Sequence, residues 1–428
     1  MGRRVAVVAV TAGWLLTTVP CAAQLSSASH PTAAPGVTID QRLAGAVARG
    51  DIPGVVAVAV NREGIIYQGA FGKADAAHGR PMTPDAIFRI ASMTKAVTSV
   101  AAMQLYEQGR FSLDDPAEKY LPALANLSVF ESFDYATGAY KVHPAARKVT
   151  IRHLLTHTSG LAYDLTSPIV RDFKPRRGEK YGAGPLLFEP GTRWIYGTGV
   201  DWVGRLVESL AGQNLEDYFR EHIFRPLRML DTFYNVPVDK QARLVTIHHR
   251  PAGHADAALV EQPVPAQTPL TVFNGGSGLA STAGDYSRLV RMLLNGGALD
   301  GARILSAHTV ALMGRNHIGD LDVPAIKTAL PERSMDFTFI AGERDKHGLG
   351  FLRTSAGVGG KRSAGSLSWG GINNTYFWLD PARGVGGVIM MQVLPFADTK
   401  ALAVYDAFER GIYGLPSVNG HGRARRGA

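Results

Sequence analysis

The hydrophobic pattern changes period several times along the chain. Residues 37–49 carry apolar positions at helical spacing and predict a first helix. Residues 55–60 and 65–71 are strand-like apolar runs on either side of Asn61-Arg62-Glu63-Gly64, which predicts a hairpin. Residues 92–108 are nearly apolar all round, through Ala96-Val97-Thr98-Ser99-Val100-Ala101-Ala102-Met103 to Gly109, the pattern of a buried helix. Further helices are predicted at 151–156, 199–212, 215–224 and 285–295. Thr282-Ala283-Gly284-Asp285 has the spacing of a capping box for the last of these. Late in the chain, strand-like runs at 367–379 and 385–394 flank Asp380-Pro381-Ala382-Arg383-Gly384, a second hairpin, and 399–412 predicts a closing helix. Residues 314–346 mix charge with proline and predict a long surface loop. No internal repeat is present.

Strands therefore cluster at both ends and helices in the middle. This order predicts an α/β (α+β) fold. The two ends, about 37–80 and 347–415, pair into one antiparallel sheet flanked by the terminal helices. Residues of about 81–304 form an inserted, mainly helical region. The cleft between them is a natural place for a site.

Composition narrows the function classes. The net charge of +9 includes Arg3 and Arg4 at the start and Arg423-Ala424-Arg425-Arg426 at the end. The basic residues are not interleaved with aromatic ones as in a nucleic-acid binder, so residues 416–428 read as a solvated basic tail. Residues 1–23 have the form of a secretory signal, with an apolar stretch too short to span a bilayer and Cys21-Ala22-Ala23 before a cut at Gln24. Thr18-Val19-Pro20 is a poor lipoprotein signal. Residues 24–36 read as a flexible leader ahead of a catalytic domain at 37–415. Cys21 is the only cysteine, so the mature chain has neither a disulfide nor a cysteine nucleophile. No later segment reads as a membrane anchor, and the expected address is the periplasm or the medium. Nothing in the pattern speaks to oligomeric state.

The chemistry centres on Ser92-Met93-Thr94-Lys95. Serine and lysine three apart share one helical face, one turn from each other. A serine hydroxyl needs a positioned base to become a nucleophile. Lys95 serves if its amine is neutral, or if its charge helps a second base stay deprotonated. By itself the tetrad fits equally well a serine capping a helix and a surface lysine. Tyr196 is the second candidate, because a buried phenol beside an ammonium can pass protons. His153 and His157 are four apart but lack the glutamate and third ligand of a zinc helix, so no metal is predicted. His157 is expected to bond loop backbone, and His248, His249 and His254 to lie in loops.

Five segments in order resemble the serine β-lactamase and penicillin-binding superfamily. They are the Ser92–Lys95 tetrad; Val149-Thr150-Ile151-Arg152-His153-Leu154-Leu155-Thr156-His157-Thr158-Ser159-Gly160-Leu161; Pro190-Gly191-Thr192-Arg193-Trp194-Ile195-Tyr196; Gly275-Gly276-Ser277-Gly278-Leu279-Ala280-Ser281-Thr282; and Ser368-Trp369-Gly370-Gly371. The last most resembles the family VIII carboxylesterases. The resemblance implies a β-lactamase/transpeptidase-like fold and no cofactor. It implies Ser92 as nucleophile, Lys95 and Tyr196 as its proton-transfer partners, and the amides of Ser92 and Ile372 as an oxyanion hole. Trp369, Gly370, Gly371 and Thr198 would border the substrate. The superfamily's antibiotic-binding members carry a cation where Trp369 stands and often an asparagine where Thr198 stands. The departures favour a small uncharged ester as substrate, with Arg362 or His347 as alternative cations. A β-lactamase or D-Ala-D-Ala carboxypeptidase, an acyltransferase, and a non-catalytic β-lactam sensor are the other readings.

Overall fold

A computed structural model describes residues 38–414 except 252, 255, 263–267, 339–343 and 358, together with Gly2. The signal, the leader and the basic tail lie outside the described residues.

The chain enters through α1 (Ile39–Ala48), which Thr38 caps by accepting from the Gln41 amide while the Gln41 side chain returns the bond. β1 (Gly54–Asn61) and β2 (Ile65–Asp75) form the expected hairpin, and β3 (Arg80–Pro81) follows on its edge. The helical region contains α2 (Thr94–Glu107), α3 (Ile151–Leu155) and α4 (Gly199–Ala211); α5 (Ala283–Leu294) leads back toward the sheet. The sheet is completed by β4 (Lys346–His347), β5 (Leu352–Arg353), β6 (Leu367–Gly371), β7 (Thr375–Asp380) and β8 (Val385–Met390), and α6 (Thr399–Ile412) closes the chain. Strand order is β4-β5-β6-β7-β8-β1-β2-β3, antiparallel throughout. The pairing of β1 with β8, Val58 opposite Val388, joins the two chain ends.

Successive residues of β1 point to opposite faces, and both faces are covered, so the run is apolar without alternation. Val55, Ala57 and Ala59 pack with Trp378 and Ile389 under α1 and α6. Val56, Val58 and Val60 pack with Phe377 and Val388 in an apolar cluster that continues through Val97 and Val100 of α2 to Leu154 and Val203. That one cluster fastens the helical region to the sheet. Every residue of α2 from Thr94 to Met103 is buried, as its all-apolar circumference predicts.

Several local expectations are corrected. The single strand expected at 367–379 reverses at Ile372-Asn373-Asn374, where Asn374 takes the left-handed φ of 54°. The Thr282–Asp285 box is half formed. Thr282 accepts from the Asp285 amide, but the Asp285 carboxylate turns to the Asp231 amide at 2.7 Å and Thr232 Oγ1 at 2.9 Å. Burial beside Asp231 lifts that carboxyl to about 6. His248 and His249 form a short strand paired with Val393–Leu394 and Val260–Glu261 rather than a loop. The middle region also holds an unforeseen hairpin, Ser128–Phe133 with Tyr140–Pro144, in which Phe130, Tyr140 and Phe173 pack edge to face. The described residues of 314–345 are irregular as expected, but Lys346 belongs to β4, and Ile318, Val323 and Ile326 are buried in the main cluster.

Candidate active site

Ser92 stands in a single 3₁₀ turn, Ala91–Met93, immediately before α2. The helix N-cap is Met93, so Ser92 is not a capping serine. The turn is entered through Ala91, whose φ of 43° is left-handed. A residue with a Cβ holds that conformation only where the surroundings enforce it. Here the carbonyl of Arg89 accepts from Asn373 Nδ2 at 3.0 Å and Gln392 Nε2 at 2.9 Å. These bonds tie the approach to the serine to the turn between β6 and β7 and to the segment just after β8.

Lys95 is 1 % exposed, and its Nζ lies 3.3 Å from Ser92 Oγ. It donates also to Gly276 O at 2.8 Å and to Tyr163 Oη at 3.1 Å. Tyr196 Oη lies 2.7 Å from Ser92 Oγ, and Lys95 Nζ sits 4.9 Å from the centre of its ring. Ser92, Lys95 and Tyr196 are thus brought together at hydrogen-bond range. Trp369 lies tilted against Tyr196 (ring centres 5.2 Å apart) and stacks over His157 (5.9 Å). Burial drives the His157 imidazole well below its ordinary range, helped by His347 and Lys95, so it is a neutral residue packed against Trp369. The Gly197 amide approaches its Nδ1 at 3.5 Å, the expected loop-backbone contact.

Ser92 opens onto a cavity of about 490 Å³, the size of a small-molecule site. Tyr196, Trp369, Gly370 and Ile372 line it, with Leu165, Val236, Leu270 and Phe337 supplying apolar walls. Thr198 and Gly371, expected at the substrate, do not line it. Thr198 is the N-cap residue of α4. Gly371 works at the back of the site: a Cβ there would lie 2.2 Å from Ile90 O, so only glycine lets β6 approach the segment carrying Ser92 so closely.

Neither alternative cation reaches the cavity. Arg362 is buried against Glu409, with Nε 2.8 Å from Oε1. The His347 imidazole is pushed down to about 4 by burial, and so is neutral. The cations on the wall are Arg89 and Arg333. Arg333 pairs with Asp164 at 3.6 Å, whereas Arg89 has no carboxylate partner among the described residues and its guanidinium is pulled down by burial. Sequence reasoning missed Arg89, although it stands three residues before Ser92. It missed also Tyr163 and Asp201, whose Oη and Oδ2 are 2.5 Å apart. The signal for Asp201 was a lone acid in the first turn of an otherwise apolar-faced helix.

A serine, a lysine and a tyrosine converging under an apolar cavity, on an antiparallel sheet with an inserted helical region, define a serine acyl-transfer site on a β-lactamase-type fold. The Beta-lactamase family matches residues 39–409, and the chain belongs to that family. Monacolin J acid methylbutanoyltransferase of Aspergillus terreus is 32% identical over 411 residues, covering 89% of this chain and 96% of its own. Lovastatin esterase of Penicillium rubens is 31% identical over 394 residues, covering 88% and 98%. Among solved structures, unliganded simvastatin synthase from Aspergillus terreus superposes with a TM-score of 0.74 at 30% identity, covering 89% of this chain and 99% of that one. The similarity thus reaches both acyltransferases and an esterase.

Proposed function

We propose that this protein cleaves small carboxylic esters through an acyl-enzyme on Ser92. Ser92 Oγ attacks the ester carbonyl carbon. Its proton passes to Tyr196 acting as a phenolate and from there to the leaving alkoxide, while Lys95 Nζ, 3.3 Å away, orients Ser92 Oγ. In this reading the amides of Ser92 and Ile372 receive the oxyanion. Water then attacks the acyl group, with Tyr196 again the base. The observation that carries this reading is Ser92 Oγ at 2.7 Å from Tyr196 Oη and 3.3 Å from Lys95 Nζ, at the edge of a largely apolar cavity. The wall residue Trp369 supports an ester rather than a β-lactam or peptide substrate, because it leaves no cation on β6.

Transfer to an alcohol other than water is the second reading. A cavity of about 490 Å³ has room for an acceptor beside a short acyl chain, and the relatives include acyltransferases. We propose further, from the form of residues 1–23, that the protein is exported, which cell fractionation tests.

The test is purified protein with short-chain nitrophenyl esters, with and without an added alcohol, and with a chromogenic cephalosporin, beside Ser92→Ala. Ester turnover that exceeds cephalosporin turnover and disappears in Ser92→Ala supports the proposal. Ester product in place of free acid when alcohol is added favours transfer. Unchanged turnover in Ser92→Ala removes Ser92 from the mechanism, and stable acylation without turnover makes the protein a sensor.

A further inference from the structure

Lys95 Nζ is held at its far side by a pair of groups that the reaction scheme above does not use. Tyr163, in the loop after α3, accepts from Lys95 Nζ at 3.1 Å and donates to Asp201 Oδ2 at 2.5 Å. Its ring packs edge-on against that of Tyr196, 5.2 Å between centres. Asp201, in the first turn of α4, also lies against Gly276, where a Cβ would sit 2.4 Å from Asp201 Oδ2. Gly276 in turn supplies the carbonyl that Lys95 takes at 2.8 Å. Lys95, Tyr163, Asp201 and Gly276 therefore form a closed ring behind the nucleophile.

The donors and acceptors in this ring can be counted. Lys95 Nζ has three acceptors: Ser92 Oγ, Tyr163 Oη and Gly276 O. An ammonium has three N–H donors and serves all three groups, whereas a neutral amine would serve only Tyr163 and Gly276 and would take the Ser92 hydroxyl proton on its lone pair. Tyr163 has one proton, which it gives to Asp201, leaving its lone pairs to Lys95. Burial and the Asp201 charge drive its phenol well above the ordinary range, so it remains a donor. The other groups facing this ring are Tyr196 and neutral His157, and Asp164 next to Tyr163, itself paired with Arg333. Asp201 is thus the carboxylate joined to Lys95 through a single hydroxyl.

We propose that Asp201, acting through Tyr163, is a positioning residue that holds Lys95 as an ammonium aimed at Ser92, leaving Tyr196 as the general base. The inference rests on the acyl-enzyme reading above and assigns its proton acceptor. It predicts that charge, and not only shape, matters at position 201.

The test is the pH profile of kcat and kcat/KM for a short nitrophenyl ester in wild type, Asp201→Asn, Asp201→Glu and Tyr163→Phe, with Ser92→Ala alongside. Asp201→Asn keeps an acceptor for Tyr163 but removes the charge. It is expected to lower kcat by about tenfold, the difference between a hydrogen bond to a charged group and one to a neutral group. KM should change little, and the alkaline limb should move to lower pH. Asp201→Glu should recover part of the loss, and Tyr163→Phe should reproduce it if the Asn variant fails to fold. Wild-type kcat and an unmoved alkaline limb in folded Asp201→Asn or Tyr163→Phe would overturn the inference while leaving the proposed function intact. Turnover persisting in Ser92→Ala would instead overturn the function on which it rests.

Discussion

Gly371→Ala tests how closely β6 must approach the nucleophile. The added Cβ would stand 2.2 Å from Ile90 O and 2.4 Å from Thr375 Oγ1. A carbon–oxygen contact normally settles at about 3.3–3.6 Å. Thr375 can rotate its hydroxyl away, but Ile90 O belongs to the backbone two residues before Ser92. The strand and the Ser92 segment must therefore part by about 1 Å. Ile372, next along the strand, moves with it, so the proposed oxyanion donors separate. Misplacing reacting groups by about 1 Å costs on the order of 10²-fold in rate, while overpacking costs about 1–3 kcal/mol of stability. The assay is kcat/KM on a nitrophenyl ester, normalised to the burst of acylated Ser92, beside thermal unfolding. Gly284→Ala is the control: its nearest neighbour is Thr282 Oγ1 at 3.7 Å, so activity should match wild type. Folded Gly371→Ala within twofold of wild type would refute the reasoning.

Other substitutions separate stability from chemistry. Arg362→Ala leaves Glu409, 2 % exposed, without its partner at 2.8 Å. Breaking such a pair costs about 3–5 kcal/mol, read as a lower Tm, with activity per folded molecule unchanged; an unmoved Tm contradicts it. Burial acts to raise the Glu409 carboxyl, but Arg362 and Lys361 hold it below the usual range. Its contribution is therefore present at neutral pH and is lost on acidification through that lowered pKa. His347 is neutral in the fold down to about 4, against 6.5 for a free imidazole. The unfolded chain binds the extra proton between those values, so stability falls as pH drops through that window. His347→Phe should flatten that part of a denaturation-versus-pH curve, and an unchanged slope would exclude the assignment. Trp369→Lys puts a cation where Trp369 meets Tyr196. The ratio of kcat/KM for carboxylate-bearing over neutral esters should rise, and a constant ratio would remove Trp369 from substrate selection.

Local pattern carried much of the architecture. α1, the β1–β2 hairpin, α2 and α6 follow from periods of a few residues, and Ser92 and Lys95 share a face because one helical turn separates them. The reversal at Ile372-Asn373-Asn374 had a signal in its paired asparagines, but the apolar run on both sides concealed it. The capping spacing at Thr282 predicted the cap correctly and its carboxylate wrongly, because Asp285 found better donors on a segment 53 and 54 residues away in sequence.

The sequence by itself determined most of the elements, the order that brings both chain ends into one sheet, and a serine–lysine pair at the start of a buried helix. Only the tertiary structure decided that Tyr163 and Asp201 stand behind that lysine, that Gly371 sets the closeness of β6 instead of touching substrate, and that Arg89 rather than Arg362 lines the cavity. The physical reason is range. Periodicity and capping act over a few residues, whereas Lys95 draws its partners from 68 and 181 residues away. One of these is the backbone carbonyl of Gly276, an acceptor every residue possesses and no sequence pattern can mark.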